Sequence, residues 1–331
     1  MKHVLLLSQE DIDLSSYEAV SLLEIKRYAM NSNLLLCNIN NNNLHKISRL
    51  AYTRKVFGLL FDCKSKDIHS MLLQYDWSKI YKENFCLRIH VMEPMKDAFD
   101  EGEYARFIWR SLVKKGISPN VDLENPATLI ELFIFKKITY VCRLIHENVE
   151  HYDDRKAHMK PALHPTAMHP KMAKGLVNIL NPRNGEVIID PFCGAGGILL
   201  EAALMNIKSI GYDIDRPMLN RARINLMHYK INLKLYKLIN KDALSIKNFR
   251  NIVTDLPYGK SSKKSGEISR LYSRFIRKIS ARSVVVFPDF VDYKKLLKIN
   301  LSKKLKIKKI ISNYVHKTLT REIVMIDKKK Y

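Results

Sequence analysis

Asp255-Leu256-Pro257-Tyr258 follows the run Ile252-Val253-Thr254, whose β-branched composition is that of a buried strand. A carboxylate, a rigid corner and an aromatic ring at a strand tip suit one chemical problem, the activation of an exocyclic nucleobase amine. Such an amine is a poor nucleophile because its lone pair is delocalised into the ring. Asp255 can accept from its N–H, and Pro257 can hold the Leu256 carbonyl beside it as a second acceptor. Tyr258 can stack on the base plane, a contact worth roughly 1–3 kcal/mol. Alignment outweighs base strength here, because in-line transfer to such an amine demands geometry first. A carboxylate only accepts, which matches the N1–H and N2–H donors of guanine; an amide at 255 would suit the mixed edge of adenine.

Three earlier motifs stand at other strand ends. Asp190-Pro191-Phe192-Cys193-Gly194-Ala195-Gly196-Gly197 lies where the strand "EVIID" passes into the helix "GILLEAALMN", the place where doubly wound sheets take ligands. Glycines there admit close backbone approach. Asp213 ends the next strand, "KSIGYD", about 20 residues on, where a carboxylate can accept from two ribose hydroxyls. That spacing also fits a nicotinamide dehydrogenase. Leu199, however, stands where the third glycine of the dinucleotide fingerprint belongs, and Asp190 and Cys193 beside the turn favour a nucleoside over a pyrophosphate. Asp242 with Ala243 in "NKDAL" closes a third strand and is placed to accept from an adenine amino group, although an Asp there equally caps a helix. Asp190, Phe192, Cys193, Gly194, Gly196, Asp213, Asp242 and Ala243 are therefore the candidate cofactor-binding residues.

The elements that must hold these motifs change character along the chain. Before about residue 148 the pattern is mixed: strands at 3–7, 33–37, 85–91, 128–135 and 137–145, and helices at 15–30, 45–61 and 103–115. Residues 149–168, rich in His and Pro, read as an extended linker. From residue 170 strands alternate with helices, which means a parallel sheet covered on both faces. "LKIKKIISNYVHK" and "TREIVMID" then form an antiparallel hairpin at the sheet edge. On the helix at 267–280, Ile268, Tyr272, Phe275 and Ile279 share one arc, and Arg270, Arg274, Arg277 and Lys278 the opposite one.

Of 331 residues, 57 are Lys or Arg and 33 are Asp or Glu, a net charge of +24. The first 150 residues hold 20 basic and 19 acidic side chains, so nearly all of the excess lies beyond them. A field of that size favours a polyanion, with nucleic acid the commonest. Arg106, Arg110, Lys114 and Lys115 on one helix, and Lys260, Lys263 and Lys264 after the Asp-Leu-Pro-Tyr corner, are the candidate RNA contacts. No apolar run approaches the roughly 20 residues of a membrane span, and "MKHVLLLSQED" is too short in apolar residues for a secretory signal. Five scattered cysteines without a C-x-x-C pair indicate a reduced, cytoplasmic protein. His151, His158, His164 and His169 match no standard zinc spacing, so no metal is expected.

"DPFCGAGGILLEA", "GYDID", "NKDAL" and "TDLPYG" resemble, in order, the cofactor and catalytic motifs of class I amino-methyltransferases that use S-adenosylmethionine. "LHPTAMHPKMAKGLVNIL" and "VHKTLTREIVMI" resemble the archaeal tRNA guanosine-10 N2-methyltransferases, and "VDLENPATLIELFIF" resembles a THUMP domain. The resemblance implies an α/β fold: a Rossmann-like methyltransferase domain at 169–331, a ferredoxin-like unit at 1–52 and a THUMP-like tRNA-binding unit at 53–148. It implies S-adenosylmethionine as cofactor, tRNA as substrate, N2-methyl- and then N2,N2-dimethylguanosine as product, and Asp255, Leu256, Pro257 and Tyr258 as the catalytic corner, in a monomer. Leu256 stands where that family has Pro; only its backbone carbonyl is required, and Pro257 still fixes the corner. The competing expectations are an N6-adenine nucleic-acid methyltransferase and an RNA-binding protein that keeps the fold without catalysis.

Overall fold

The computed structural model describes residues 2–96, 98–163, 168–258, 265–317 and 319–329. The chain divides into two compact units. Met1–Gln9, Ile25–Ser48 and Thr53–Asn148 form the first; Glu10–Glu24, Arg49–Tyr52 and Val149–Tyr331 form the second.

β1 (His3–Leu7) opens the first unit, and the helix that follows it in sequence, α1 (Ile12–Leu23), belongs to the second. The first unit continues with β2 (Tyr28–Asn31), β3 (Leu34–Cys37), β4 (Thr53–Lys64), α2 (Ile68–Gln74), β5 (Phe85–Val91), α3 (Glu101–Val113), β6 (Thr128–Ile134) and β7 (Ile138–Glu147). Its strands make one sheet in the order β2-β3-β1-β4-β7-β6-β5, so a division between residues 52 and 53 differs from the continuous sheet found. Where the apolar period of 45–61 indicates a helix, the chain makes a 3-10 segment over Asn41–Arg49 and then β4. β4 pairs with β1 on one side and β7 on the other. Two ladders on one segment outweigh a helical period in its side chains. The helix expected over 15–30 likewise ends at Leu23, with Glu24 left-handed at its C-cap (φ 56°).

The second unit carries β8 (Ile188–Asp190), β9 (Ser209–Asp213), β10 (Tyr236–Asn240), β11 (Ile252–Asp255), β12 (Ser283–Pro288), β13 (Leu305–His316) and β14 (Leu319–Lys328). The order is β10-β9-β8-β11-β12-β14-β13, parallel through β12 and antiparallel for the β13–β14 hairpin at the edge. α4 (Pro170–Leu180), α5 (Gly197–Leu204), α6 (Arg216–His228), α7 (Ser265–Ile276) and α8 (Tyr293–Asn300) join α1 around the sheet. Ile188, Val253, Val284, Val286 and Ile323 pack with Leu14, Leu176 and Val177 in one core; Ile252, Val285, Phe287, Val324 and Ile326 pack with Tyr272, Phe275 and Leu297 in another. Burial on both faces accounts for the unbroken apolar run of β12.

Glu18 of α1 is fully buried and explains why so short a piece of the amino-terminal sequence belongs here. Its carboxylate accepts from Ala51 N and Tyr52 N, each at 2.8 Å, and from Asn178 Nδ2 of α4 at 2.7 Å. Three acceptor contacts satisfy a carboxylate that burial would otherwise penalise. Residues 149–163 are not an extended linker. Arg155 binds Glu201 of α5 (2.9 Å) and Glu150 (2.5 Å), and Ala162 N donates to Asn225 Oδ1 at 3.1 Å, so the segment is fastened to the second unit.

Candidate active site

The parallel strands bring their carboxyl ends to one edge, and with them the four acids picked out by sequence. Asp190 ends β8, Asp213 ends β9, Asp242 follows β10 and Asp255 ends β11. All four line a cavity of about 560 Å³ with Phe192, Cys193, Gly194, Ala243, Leu256, Pro257 and Tyr258.

The turn after β8 is shaped by backbone that only glycine adopts without cost. Gly194 has φ 51° and Gly196 φ 80°. Gly194 N donates to Asp213 Oδ2 and Asp215 N to Asp213 Oδ1, both at 2.9 Å, which fixes the carboxylate across the turn. Cys193 N donates to Tyr212 O at 2.9 Å. Its thiol is buried and pushed well above its usual range by burial, so it is an inert liner and not a nucleophile. Gly196 is not in the cavity wall. A Cβ there would lie 3.0 Å from Ala222 Cβ of α6, so this glycine serves helix packing.

Asp190 is buried and accepts from Thr254 Oγ1 at 2.6 Å and Phe192 N at 3.2 Å; burial raises it to about 7. Asp242 caps the following turn by accepting from Leu244 N at 2.8 Å and also lines the cavity.

At the corner, Tyr258 OH donates to Asp255 Oδ1 at 2.5 Å, and Tyr272 OH donates to Pro257 O at 2.9 Å. Burial raises Asp255 to about 6, with Arg321 and Tyr258 pulling the other way. Leu256 N donates to Val286 O at 3.1 Å. In a parallel ladder the next donor, facing Leu256 O, comes from the residue two beyond Val286. That residue is Pro288, which has no N–H. No hydrogen bond to Leu256 O is made among the described residues, and a carbonyl beside the Asp255 carboxylate stays open.

Sequence reasoning missed Thr254, Tyr272, Pro288 and Arg321. Arg321 of β14 donates from Nε to Tyr258 OH at 3.1 Å and lies 3.6 Å from Asp255 Oδ2. Its signal was there: a cation leading the apolar run Ile323-Val324-Met325-Ile326, and buried.

The basic candidates divide. Arg106, Arg110, Lys114 and Lys115 are all exposed on α3 or just beyond it, beside Trp109, which is 40% exposed. Lys115 lies 3.8 Å from Asp76, while Arg106, Arg110 and Lys114 form no ion pair among the described residues. Lys260, Lys263 and Lys264 lie outside the described residues. On α7, Arg270 and Arg274 are exposed, but beyond it Arg277 Nε binds Asn300 Oδ1 at 2.8 Å and Lys278 Nζ binds Ile246 O at 2.7 Å, so that face is partly spent on the fold. His169 caps α4, its Nδ1 accepting from Lys171 N at 3.3 Å.

A parallel sheet with an antiparallel edge hairpin, a glycine turn after its first strand and an acid closing the second define a Rossmann-like methyltransferase domain. The family model described as an RMKL-like methyltransferase domain matches residues 157–323, and one described as DNA methylase matches residues 21–223. The tRNA (guanine(10)-N2)-dimethyltransferase of Methanothermobacter thermautotrophicus is 30% identical over 99% of this chain and 100% of its own length. That of Pyrococcus abyssi is 28% identical over 85% of this chain and 86% of its own. The crystal structure of TrmN from Thermus thermophilus superposes with a TM-score of 0.53 at 17% identity, covering 99% of this chain and all of that one. The chain belongs to the tRNA (guanine(10)-N2)-dimethyltransferase family.

Proposed function

We propose that this protein transfers methyl groups from S-adenosylmethionine to N2 of a guanosine in tRNA, at position 10, once and then a second time. The observation that carries the reading is the placement of the Asp255 carboxylate, the open Leu256 carbonyl and Tyr258 in the wall of the same cavity as Gly194, Asp213 and Asp242.

The donor set fits that cofactor. Asp213 is held by two backbone N–H groups and retains lone pairs for ribose hydroxyls, and the φ of Gly194 lets backbone approach closely. A cavity of about 560 Å³ is of the size that encloses a small ligand. When bound, the cofactor supplies an electrophilic methyl carried on sulfur. Asp255 and the Leu256 carbonyl accept from the two N2–H groups and turn the nitrogen lone pair out of conjugation. Tyr258, tied to Asp255 and Arg321, presents its ring to the base. Methyl transfer would leave a positive charge on N2, and the Asp255 carboxylate is the base in reach to take its proton. N2-methylguanosine keeps one N–H, so the same acceptors serve a second transfer; the dimethyl product has none left to hold. The exposed Arg106, Arg110 and Lys114 of α3 contact tRNA phosphates.

Incubation with labelled cofactor and an unmodified tRNA transcript, followed by digestion and mass spectrometry, is expected to give N2-methyl- and N2,N2-dimethylguanosine. Label on adenosine N6 would replace this reading by the adenine one, towards which the match to a DNA methylase model points. Binding of tRNA with no affinity for the cofactor would reduce the protein to an RNA-binding module.

A further inference from the structure

Arg321 stands opposite Pro288 in the β12–β14 register, and its side chain reaches the catalytic corner from there. It is only 8% exposed. A guanidinium has five N–H donors. Nε donates to Tyr258 OH at 3.1 Å, one terminal nitrogen meets only the Met172 thioether at 3.9 Å, and the other lies 3.6 Å from Asp255 Oδ2, beyond hydrogen-bond length. Among the described residues, then, a buried cation makes a single strong hydrogen bond and keeps both terminal nitrogens largely unspent. Buried charges are normally fully engaged, because desolvating an unengaged donor is costly. Arg321 also belongs to the wall of a second cavity, about 750 Å³, with Tyr52, Met172, Asn313 and Tyr314. Arg321 thus touches Tyr258 of the corner on one side and lines this second cavity on the other.

The Watson–Crick edge of guanine presents N2–H, N1–H and O6 in a row, two donors and then an acceptor. Asp255 and Arg321 present the complement side by side, an acceptor-only group followed by a donor-only group. We propose that Arg321 reads the target base by donating a hydrogen bond to guanine O6 while Asp255 holds the amine. The proposal rests on the N2-guanosine reading above and adds the residue that recognises the base. Lysine, a point charge without the planar fork, is a poor substitute.

The test is kcat/KM on two transcripts, one with guanosine and one with 6-thioguanosine at the target position. Sulfur is a far weaker acceptor than oxygen, and the N1–H and N2–H groups are kept. For the wild-type protein the thio substitution is expected to lower kcat/KM about tenfold, the loss of one charged hydrogen bond. Arg321→Met should be slower on both transcripts, with the ratio between them collapsing towards one. Arg321→Lys should retain part of the ratio. Cofactor binding measured by calorimetry shows that each variant is folded. A wild-type ratio near one overturns the proposal whatever the variants do, and so does an undiminished ratio in Arg321→Met. Failure of the wild-type protein to methylate guanosine at all would instead remove the underlying function.

Discussion

Pro288→Ala separates the open carbonyl of Leu256 from every other feature of the corner. Leu256 N already donates to Val286 O at 3.1 Å, so the ladder is in register up to the point where residue 288 should donate to Leu256 O. Alanine restores the missing N–H. The new backbone bond contributes about 0.5–1.5 kcal/mol. It is offset by about 0.4–1 kcal/mol from the greater freedom that alanine gives the unfolded chain. Net stability should therefore move by less than about 1 kcal/mol, in either direction. The carbonyl, now engaged in the sheet, can no longer hold a substrate N–H. Losing an acceptor contact worth about 1 kcal/mol in the transition state slows methyl transfer roughly fivefold. Urea unfolding gives the first quantity, and single-turnover transfer to a tRNA transcript gives the second. An unchanged single-turnover rate in a variant of unchanged stability would refute the role assigned to Leu256. A large loss of stability would refute the ladder argument itself, since the added N–H would then have found no partner.

Gly211→Ala puts a Cβ 2.7 Å from Leu199 Cδ2 and 2.8 Å from Cys193 Sγ, against residues behind the cofactor cavity. It should cost about 1–3 kcal/mol in urea unfolding and weaken cofactor binding by calorimetry, with Cys193→Ala restoring part of both; additive effects of the two changes would contradict the contact. For pH, Asp255 acts as the carboxylate, and burial raises it to about 6, so kcat/KM should fall about tenfold per unit as pH drops below that value. Tyr258→Phe keeps the ring but removes one influence that lowers Asp255, so the acid limb should shift to higher pH; a limb that stays or moves down counts against the hydrogen bond.

The chemistry of the site was legible in the residues because backbone constraints there are local. Gly194 holds φ 51° in its turn at no steric cost, and Asp190, Asp213 and Asp255 each close a strand whose β-branched or apolar run announces it. The alternation of strands and helices then carries those strand ends to one edge whatever the details of packing. Segment 45–61 was misread because a helical period and a twice-paired strand compete for the same residues, and the winner is set by β1 and β7, distant in sequence. The same holds for Glu18, whose partners at 51, 52 and 178 carry α1 into the second unit. Sequence alone determined which groups meet at the strand ends and line the cavity, since local geometry demands particular residue types. Tertiary structure decided what surrounds them: the buried cation from β14 and the proline that leaves a carbonyl free both depend on strand neighbours that no local pattern encodes.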